Sequence, residues 1–259
     1  MKEKTIRELL ANEGIPLPVA VFDTVDSTNT EARRRLSDGT QKGEPFLILS
    51  ERQTAGKGRR SRSFYSPAGK GIYMTLVVWT DMALPLFLPV TTAVSVAVCR
   101  AAEEVTGKGP LKIKWVNDIY DYGKKVGGIL TETFGQGEQK RYPVIIGIGL
   151  NVCPQTFPED IRPIAGTLGV PEKFREPMVA RICRILFDMI GQMEKGNRPW
   201  MEEYRSRSLV LGQTVTFEID HMEKEGRVTG ITDEGSLEVL TESGKVVLDS
   251  GEVTVRLKS

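Results

Sequence analysis

Apolar residues recur along this chain at two spacings, every three or four residues in some segments and every second residue in others. The clearest helical spacing covers residues 176–195, with Pro177 at its start and Gly196 just past its end. Further helices are predicted at 5–12, at 28–37, from about 89 to 107 and around 200–204. Strands are predicted at 19–22, 46–49, 72–79, 111–115, 126–133 and 142–148.

The pattern changes near residue 209, after which helical spacing disappears. Short strands separated by turns are predicted at 214–219, 226–231, 237–240, 245–248 and 252–257. Five short strands in so little chain indicate a small barrel. We therefore predict two domains, 1–208 and 209–259.

Composition excludes several classes of protein. The 259 residues carry 35 Lys and Arg against 34 Asp and Glu, a net charge of +1, so no global field favours nucleic acid or an anionic membrane. There is one histidine, His221, and there are three cysteines with no C-x-x-C pair; zinc fingers, zincin-type sites and two-histidine iron sites need more ligands than these. A Ser-His-Asp hydrolase would have to use His221, which lies far from any candidate nucleophile motif.

The chain is predicted to be cytoplasmic and free of membrane spans. Its charged N-terminus has no apolar signal segment, and its three widely spaced thiols fit a reducing compartment. Residues 82–99 carry no charge, but Pro85 and Pro89 interrupt them, which favours a buried helix over a transmembrane one.

A stretch rich in glycine and cations, residues 53–62, separates two predicted strands. Gly56 and Gly58 let the backbone approach a ligand, while Lys57, Arg59 and Arg62 can neutralise phosphates. The stretch matches neither a Walker A loop nor a dinucleotide fingerprint. Most stretches of this kind are solvated basic loops. A nucleic-acid patch is the other alternative, although one loop in a nearly neutral chain gives little affinity by counterion release.

Three shorter motifs add polar groups near predicted strand and helix ends. Asn117 and Asp118 follow one strand and can fix a ribose, an adenine edge or Mg²⁺, although a simple polar turn explains them equally well. Lys125 opens the next strand and can meet a carboxylate or phosphate. A Gly-x-Gly-x-Asn motif ends at Asn151, and Ser-Thr-Asn at 27–29 fits both a helix cap (Thr28 with Glu31) and a site for a neutral carbonyl ligand.

Together these motifs resemble those of the biotin–protein ligase family. They occur in the same order as in that family, and the resemblance extends from about residue 19 to the C-terminus. The resemblance implies an α+β fold: a mixed β-sheet flanked by helices, of the class II synthetase-like type, plus a C-terminal SH3-like β-barrel. It also implies that biotin and ATP form biotinyl-5′-adenylate and that the acyl group then passes to a lysine of a biotin carboxyl carrier domain. Such adenylyl transfer relies on positioning and charge, which suits a histidine-poor chain.

The resemblance also implies roles for individual residues. Lys125 and Arg59 would be catalytic, and Mg²⁺ would lie near Asp118. The implied substrate-binding residues are Ser27, Thr28, Asn29, Gln53, Gly56, Lys57, Gly58, Arg59, Trp115, Lys125 and Gly128. The implied nucleotide-binding residues are Arg59, Arg62, Asn117, Asp118 and Asn151.

The chain departs from the family pattern at four positions: Lys57 replaces Arg, Ser61 replaces Gly, Phe64 replaces Trp and Val116 replaces Pro. Only about eighteen residues precede the first predicted strand, too few for the winged helix of members that are also repressors, so no DNA binding is expected. A lipoate or octanoate ligase, and a non-catalytic biotin-binding module, are the alternatives. The sequence leaves open whether the chain forms a homodimer.

Overall fold

A computed structural model describes residues 1–41, 43–82, 87–135, 141–219 and 222–249, and the backbone at 256–257. His221 lies outside the described residues, as do most of the predicted turn at 135–138 and of the predicted strand at 252–257. None of the helices in the described part of the chain combines the length and apolar character that a membrane crossing requires.

The first part of the chain forms a seven-stranded mixed sheet in the order β1-β2-β3-β7-β6-β5-β4. Only β1 and β2 are parallel; the other neighbours are antiparallel. The strands are β1 (Val19–Val25), β2 (Phe46–Gln53), β3 (Gly71–Thr80), β4 (Lys112–Lys114), β5 (Asp118–Asp121), β6 (Lys124–Thr133) and β7 (Tyr142–Asn151).

Helices cover both faces of this sheet, as alternation along its strands requires. The helices are α1 (Glu3–Asn12), α2 (Thr28–Ser37), α3 (Phe87–Thr106), α4 (Arg175–Glu194) and α5 (Met201–Arg207). In β2, Leu47 and Leu49 face the large core that α3 and α4 share, while Phe46 and Ile48 face a smaller core beneath α2. The predicted mixed sheet flanked by helices is confirmed.

A second, five-stranded antiparallel sheet follows, in the order β11-β10-β9-β8-β12. Its strands are β8 (Thr214–Ile219), β9 (Met222–Ile231), β10 (Leu237–Thr241), β11 (Gly244–Leu248) and β12 (Arg256–Leu257). This separate sheet agrees with the predicted all-β C-terminal part.

The polar turn that the sequence allows at Asn117 and Asp118 is present at residues 115–117, where it joins β4 to β5 as a hairpin. The strand β5 itself was not predicted, and a tight turn at Tyr122 (φ 43°) and Gly123 (φ 75°) pairs it with β6. One local prediction was wrong: in α2, Thr28 is the first helical residue and not the cap. Its N–H and hydroxyl both donate to Gln53 Oε1, at 2.9 and 3.2 Å, so a tertiary acceptor replaces the predicted capping box.

Candidate active site

The sheet face that α2 covers is left uncovered beyond the N-terminus of this helix, and glycines on that face carry no side chains. Gly149 of β7 pairs with Tyr73 of β3 and with Gly128 of β6, and Gly128 pairs with Asp118 of β5. Paired residues share a face, so these positions form one surface. With no side chain at Gly149 or Gly128, that surface is a floor on which other groups can lie.

Above this floor lies a cavity of about 480 Å³, within the range of small-ligand sites. The sequence-predicted residues that line it are Ser27, Thr28, Asn29, Gln53, Lys57, Gly58, Arg59, Arg62, Trp115, Asn117, Asp118, Lys125, Gly128 and Asn151. Gly56 is not among the lining residues. A Cβ there would come within 2.6 Å of the Phe64 carbonyl oxygen and 2.9 Å of Ser66 Oγ, so this glycine closes the loop behind the cavity.

The N-terminus of α2 and the end of β2 form a neutral, polar end of the cavity. Ser27 and Thr28 are buried, and Gln53 Oε1 accepts from Thr28. Gln53 Nε2 donates to Ser66 Oγ at 2.9 Å, which fixes the orientation of the amide. This end therefore presents hydroxyl and amide groups, with no charged side chain among the residues that form it.

Asn29 is held by the protein on both sides of its amide. Its Oδ1 accepts from Thr75 Oγ1 at 2.6 Å, and its Nδ2 donates to Glu132 Oε2 at 2.8 Å. Arg33 donates to the other oxygen of Glu132 at 2.8 Å. Asn29 thus ties α2 to β3 and β6, although it also lines the cavity.

Residues 55–66, the loop of glycines and cations between β2 and β3, form a small hairpin over the cavity. This segment is called the basic loop below. Lys57 and Ser63 pair as an antiparallel bridge, the Gly58 N–H donates to the Arg62 carbonyl at 2.7 Å, and Arg60 adopts a left-handed conformation (φ 57°). At its end, Phe64 lies on the floor: a Cβ at Gly149 would come within 2.6 Å of the ring. Phe64 is an apolar anchor that the loop composition alone does not reveal.

Arg59 reaches from this loop to the far side of the cavity. Its Nη1 donates to Asn117 Oδ1 at 3.3 Å, while Asn117 Nδ2 donates to the Ile129 carbonyl at 2.9 Å. Burial lowers the pKa of Arg59, and the charge of Arg60 acts in the same direction, against the opposing effect of Asp118. A partly buried guanidinium in this environment would gain from an anionic ligand.

Lys125 stands over Gly128 and forms an ion pair with Asp118, 2.7 Å from Nζ to Oδ1. A Cβ at Gly128 would lie 3.5 Å from Lys125 Nζ, in ordinary contact. The backbone of Lys125 is clamped by the loop that follows β7: its N–H donates to the Ile164 carbonyl and its carbonyl accepts from the Gly166 N–H, both at 2.8 Å.

Trp115 and Asn151 complete the walls. Trp115 is 6% exposed, and its indole N–H donates to the Gly235 carbonyl at 2.9 Å, which links this wall to the second sheet. Asn151 is 5% exposed; its Nδ2 donates to the Gly166 carbonyl at 3.0 Å, and its buried Oδ1 has no hydrogen-bond partner. A hydrogen-bond donor on a ligand would satisfy this buried oxygen.

Sequence reasoning missed most of the apolar lining. These residues are Phe64, Tyr65, Met74, Phe157, Ile161 and Ile164. All of them except Met74, which is in β3, lie in loops, where neither helical nor strand spacing distinguishes them. The apolar residues of the otherwise polar segment 154–169 were the available signal.

The cavity thus has three chemical regions: a neutral polar end, an apolar middle and a cationic end. Six of the lining residues are cations, namely Lys57, Arg59, Arg60, Arg62, Lys114 and Lys125, and among the described lining residues Asp118 is the one carboxylate. This suits a ligand with an uncharged hydrogen-bonding head and a strongly anionic part. Such a pattern is that of an acid-activating ligase that uses a nucleotide.

Comparison with known proteins identifies the family. The model described as "Biotin/lipoate A/B protein ligase family" matches residues 21–151, and that described as "Biotin protein ligase C terminal domain" matches 210–256. The chain belongs to this family, which confirms the resemblance predicted from its motifs.

Individual relatives agree with this assignment. The chain is 32% identical to the "Bifunctional ligase/repressor BirA" of Bacillus subtilis, over 98% of this chain and 78% of that protein. It is 28% identical to the "Biotin--[acetyl-CoA-carboxylase] ligase" of Mycobacterium tuberculosis, over 98% and 95%. The solved biotin protein ligase of Aquifex aeolicus, in complex with biotin and ATP, is similar with a TM-score of 0.77 and 27% identity, over 93% of this chain and 99% of that one.

Proposed function

We propose that this chain is an ATP-dependent biotin–protein ligase. The biotin carboxylate attacks the α-phosphorus of ATP, pyrophosphate leaves, and biotinyl-5′-adenylate forms. The ε-amine of a lysine on a biotin carboxyl carrier domain then attacks the acyl carbon, and AMP leaves. The observation that carries this proposal is the single cavity that joins a neutral polar end to a cationic one.

The neutral end would bind the ureido head of biotin. Ser27, Thr28 and Gln53 supply hydroxyl and amide groups whose geometry is already fixed by Ser66 and by the start of α2. Trp115 and the apolar loop residues would cover the rings and tail. Asn29, whose amide is bonded to Thr75 and Glu132, would hold α2 in place rather than contact the ligand.

The cationic end would carry the chemistry. Lys125, which is paired with Asp118 at the cationic end, would contact the carboxylate and the α-phosphate, and its charge would stabilise the negative charge that develops on their oxygens. Arg59 and Arg62 would bind phosphates, with Lys57 and Gly58 folding over them. Asn117 would orient Arg59, and the unpartnered Oδ1 of Asn151 would accept a hydrogen bond from the nucleotide.

The described residues do not fit a resident metal site. No three His, Cys, Asp or Glu side chains come together in the described part of the chain, and Asp118 is already paired with Lys125. We therefore assign Mg²⁺ to the substrate, as a complex with ATP whose phosphates supply most of its ligands, and its position near Asp118 stays a prediction.

The function is tested by biotin-dependent exchange of labelled pyrophosphate into ATP. A biotin ligase exchanges with biotin, a lipoate or octanoate ligase exchanges only with those acids, and a binding module exchanges with none. Because unpaired buried groups at a urea-binding end penalise a ligand without the urea, lipoic acid should bind at least ~100-fold more weakly than biotin in calorimetry. Equal binding of the two would contradict the proposal.

Four further parts of the proposal concern the cellular location, the domain boundary, DNA binding and the oligomeric state. The buried, unpaired thiols of Cys99, Cys153 and Cys183 support a reducing, cytoplasmic location. The proposed domain boundary lies between residues 208 and 209. The protein is expected not to bind DNA. Sedimentation with and without biotin and ATP tests for a homodimer.

A further inference from the structure

The carbonyl of Val116 is a meeting point of two helices beneath the cavity. The hydroxyl of Tyr204, in α5, donates to this oxygen at 3.0 Å, and Ser95 Oγ, in α3, lies 3.3 Å from it. Both side chains are fully buried. Ser95 Oγ also lies 2.8 Å from the Thr91 carbonyl, so its single proton is shared, and Tyr204 is the better placed donor.

The next residue, Asn117, is fixed on its other side by β6. Its carbonyl accepts from the Ile129 N–H at 3.0 Å, and its Nδ2 donates to the Ile129 carbonyl at 2.9 Å. With the amide held in this way, Oδ1 faces Arg59 Nη1 at 3.3 Å. The peptide between Val116 and Asn117 is therefore held from below by α5 and α3 and from the side by β6.

Tyr204 is also electrostatically close to Arg59. Burial raises the pKa of Tyr204 and the charge of Arg59 opposes that rise, so the phenol stays protonated at neutral pH and remains a donor.

We infer that Tyr204 is a positioning residue for Arg59: its hydroxyl fixes the Val116 carbonyl, and thereby the Asn117 amide that orients the guanidinium. This deepens the proposed function, on which the kinetic part of the test rests. It assigns a role in the reaction to a side chain that does not line the cavity.

The first test replaces Tyr204 by Phe, which removes one oxygen and leaves the ring. We expect KM for ATP in biotin-dependent pyrophosphate exchange to rise at least fivefold and the single-turnover rate of adenylate formation to fall at least fivefold. Biotin affinity should stay within twofold, because Ser27, Thr28 and Gln53 are untouched. The matched control is Tyr142→Phe, which also removes a tyrosine-to-carbonyl bond (to Met82, 2.6 Å) but away from the cavity, and should leave both constants unchanged.

A second variant tests whether Ser95 and Tyr204 act on the same carbonyl. Ser95→Ala alone should have a small effect, since Tyr204 still holds the carbonyl, whereas Ser95→Ala with Tyr204→Phe should lower the rate by more than the product of the single effects. If Tyr204→Phe matches Tyr142→Phe in its ATP constants, or if the pair of substitutions is merely multiplicative, the inference is overturned.

One measurement does not depend on activity. The ¹⁵N resonances of the Arg59 guanidinium, assigned by their loss in Arg59→Lys, should shift in Tyr204→Phe and stay in place in Tyr142→Phe. Unchanged resonances would overturn the inference even in an active enzyme. Conversely, a wild-type chain without biotin-dependent exchange would contradict the proposed function, while a shifted Arg59 signal would still support the positioning role.

Discussion

At the scale of single residues, Lys125 carries the sharpest prediction. Removing a cation aimed at developing negative charge costs ~3–4 kcal/mol of transition-state stabilisation. Lys125→Ala should therefore slow adenylate formation by about two to three orders of magnitude, with an unchanged circular dichroism spectrum, in a single-turnover assay. Lys124→Ala is the control, because Lys124 is next in the same strand but directs its ammonium to the Pro163 carbonyl, outside the cavity. A Lys125→Ala rate within threefold of wild type would remove Lys125 from the mechanism.

Sequence predicted which residues gather at the cavity better than what each one does. The gathering of Ser27, Gln53, Arg59 and Lys125 could be predicted because their motifs occur in the order of a family whose fold this chain shares. The division of labour between ligand contact and support does not appear in the motif. Asn29 stands beside Thr28 in the sequence, yet it faces Thr75 and Glu132, and only the sheet register shows this.

At the scale of elements, the glycines of β6 and β7 make a graded prediction. Gly149→Ala would drive a methyl into the Phe64 ring, whereas Gly128→Ala would meet Lys125 at 3.5 Å, an ordinary contact. We expect Gly149→Ala to lose about 1–3 kcal/mol of unfolding free energy and Gly128→Ala to lose less, measured by urea unfolding. Gly191→Ala, in open space within α4, is the control and should gain stability. Equal losses at 149 and 128 would contradict the packing argument.

The basic loop makes a prediction about order. Clustered cations and glycines raise the cost of holding residues 55–66 in one conformation, although the hairpin and the Phe64 anchor reduce it. Amide exchange there should be fast without ligand and slow with biotinyl-adenylate, with protection of 154–169 in parallel. Arg59→Gly should release reactive adenylate, which would label bystander lysines. Equal exchange in both states together with no leakage would reduce the loop to a solvated basic segment.

Elements with strong spacing were predictable, and those set by neighbours were not. The α4 helix begins and ends one residue before its predicted range. The prediction was this close because five regularly spaced apolar side chains, with Pro177 and Gly196 near the ends, mark the helix. The strand β5 has four residues and no repeat long enough to detect. It exists because β4 and β6 pair with it on both sides.

At the scale of the whole molecule, burial of thiols in the large core predicts the response to alkali. Burial raises the pKa of Cys99 and of Cys183 to about 12, from an ordinary value of 9.0. An unfolded chain therefore releases these protons above pH 9 while the native protein keeps them, so the free energy of unfolding should fall as pH rises from 9 towards 12. Urea unfolding at pH 7.5 and 10 measures this, and Cys99→Ala should flatten the slope. Rapid labelling of either thiol by an alkylating reagent in the native state would contradict it.

The two sheets meet at a wall of the cavity, and this junction makes the last prediction. Gly235, in the turn before β10, accepts the indole N–H of Trp115, while Arg205 donates to the Ile231 carbonyl at 2.8 Å and Arg198 pairs with Glu234 at 3.2 Å. The second sheet thus holds the ring that would cover biotin.

Trp115→Phe keeps an aromatic wall but leaves the Gly235 carbonyl without its donor, which costs about 1–3 kcal/mol when that oxygen stays buried. We expect a melting temperature lower by roughly 2–10 °C and biotin binding weaker by several fold in calorimetry, since the ring loses its orientation. Arg198→Ala removes a partly exposed contact of the same turn and serves as the control, with near wild-type biotin affinity. If the two variants bind biotin equally well, the second sheet packs against the first without shaping the site.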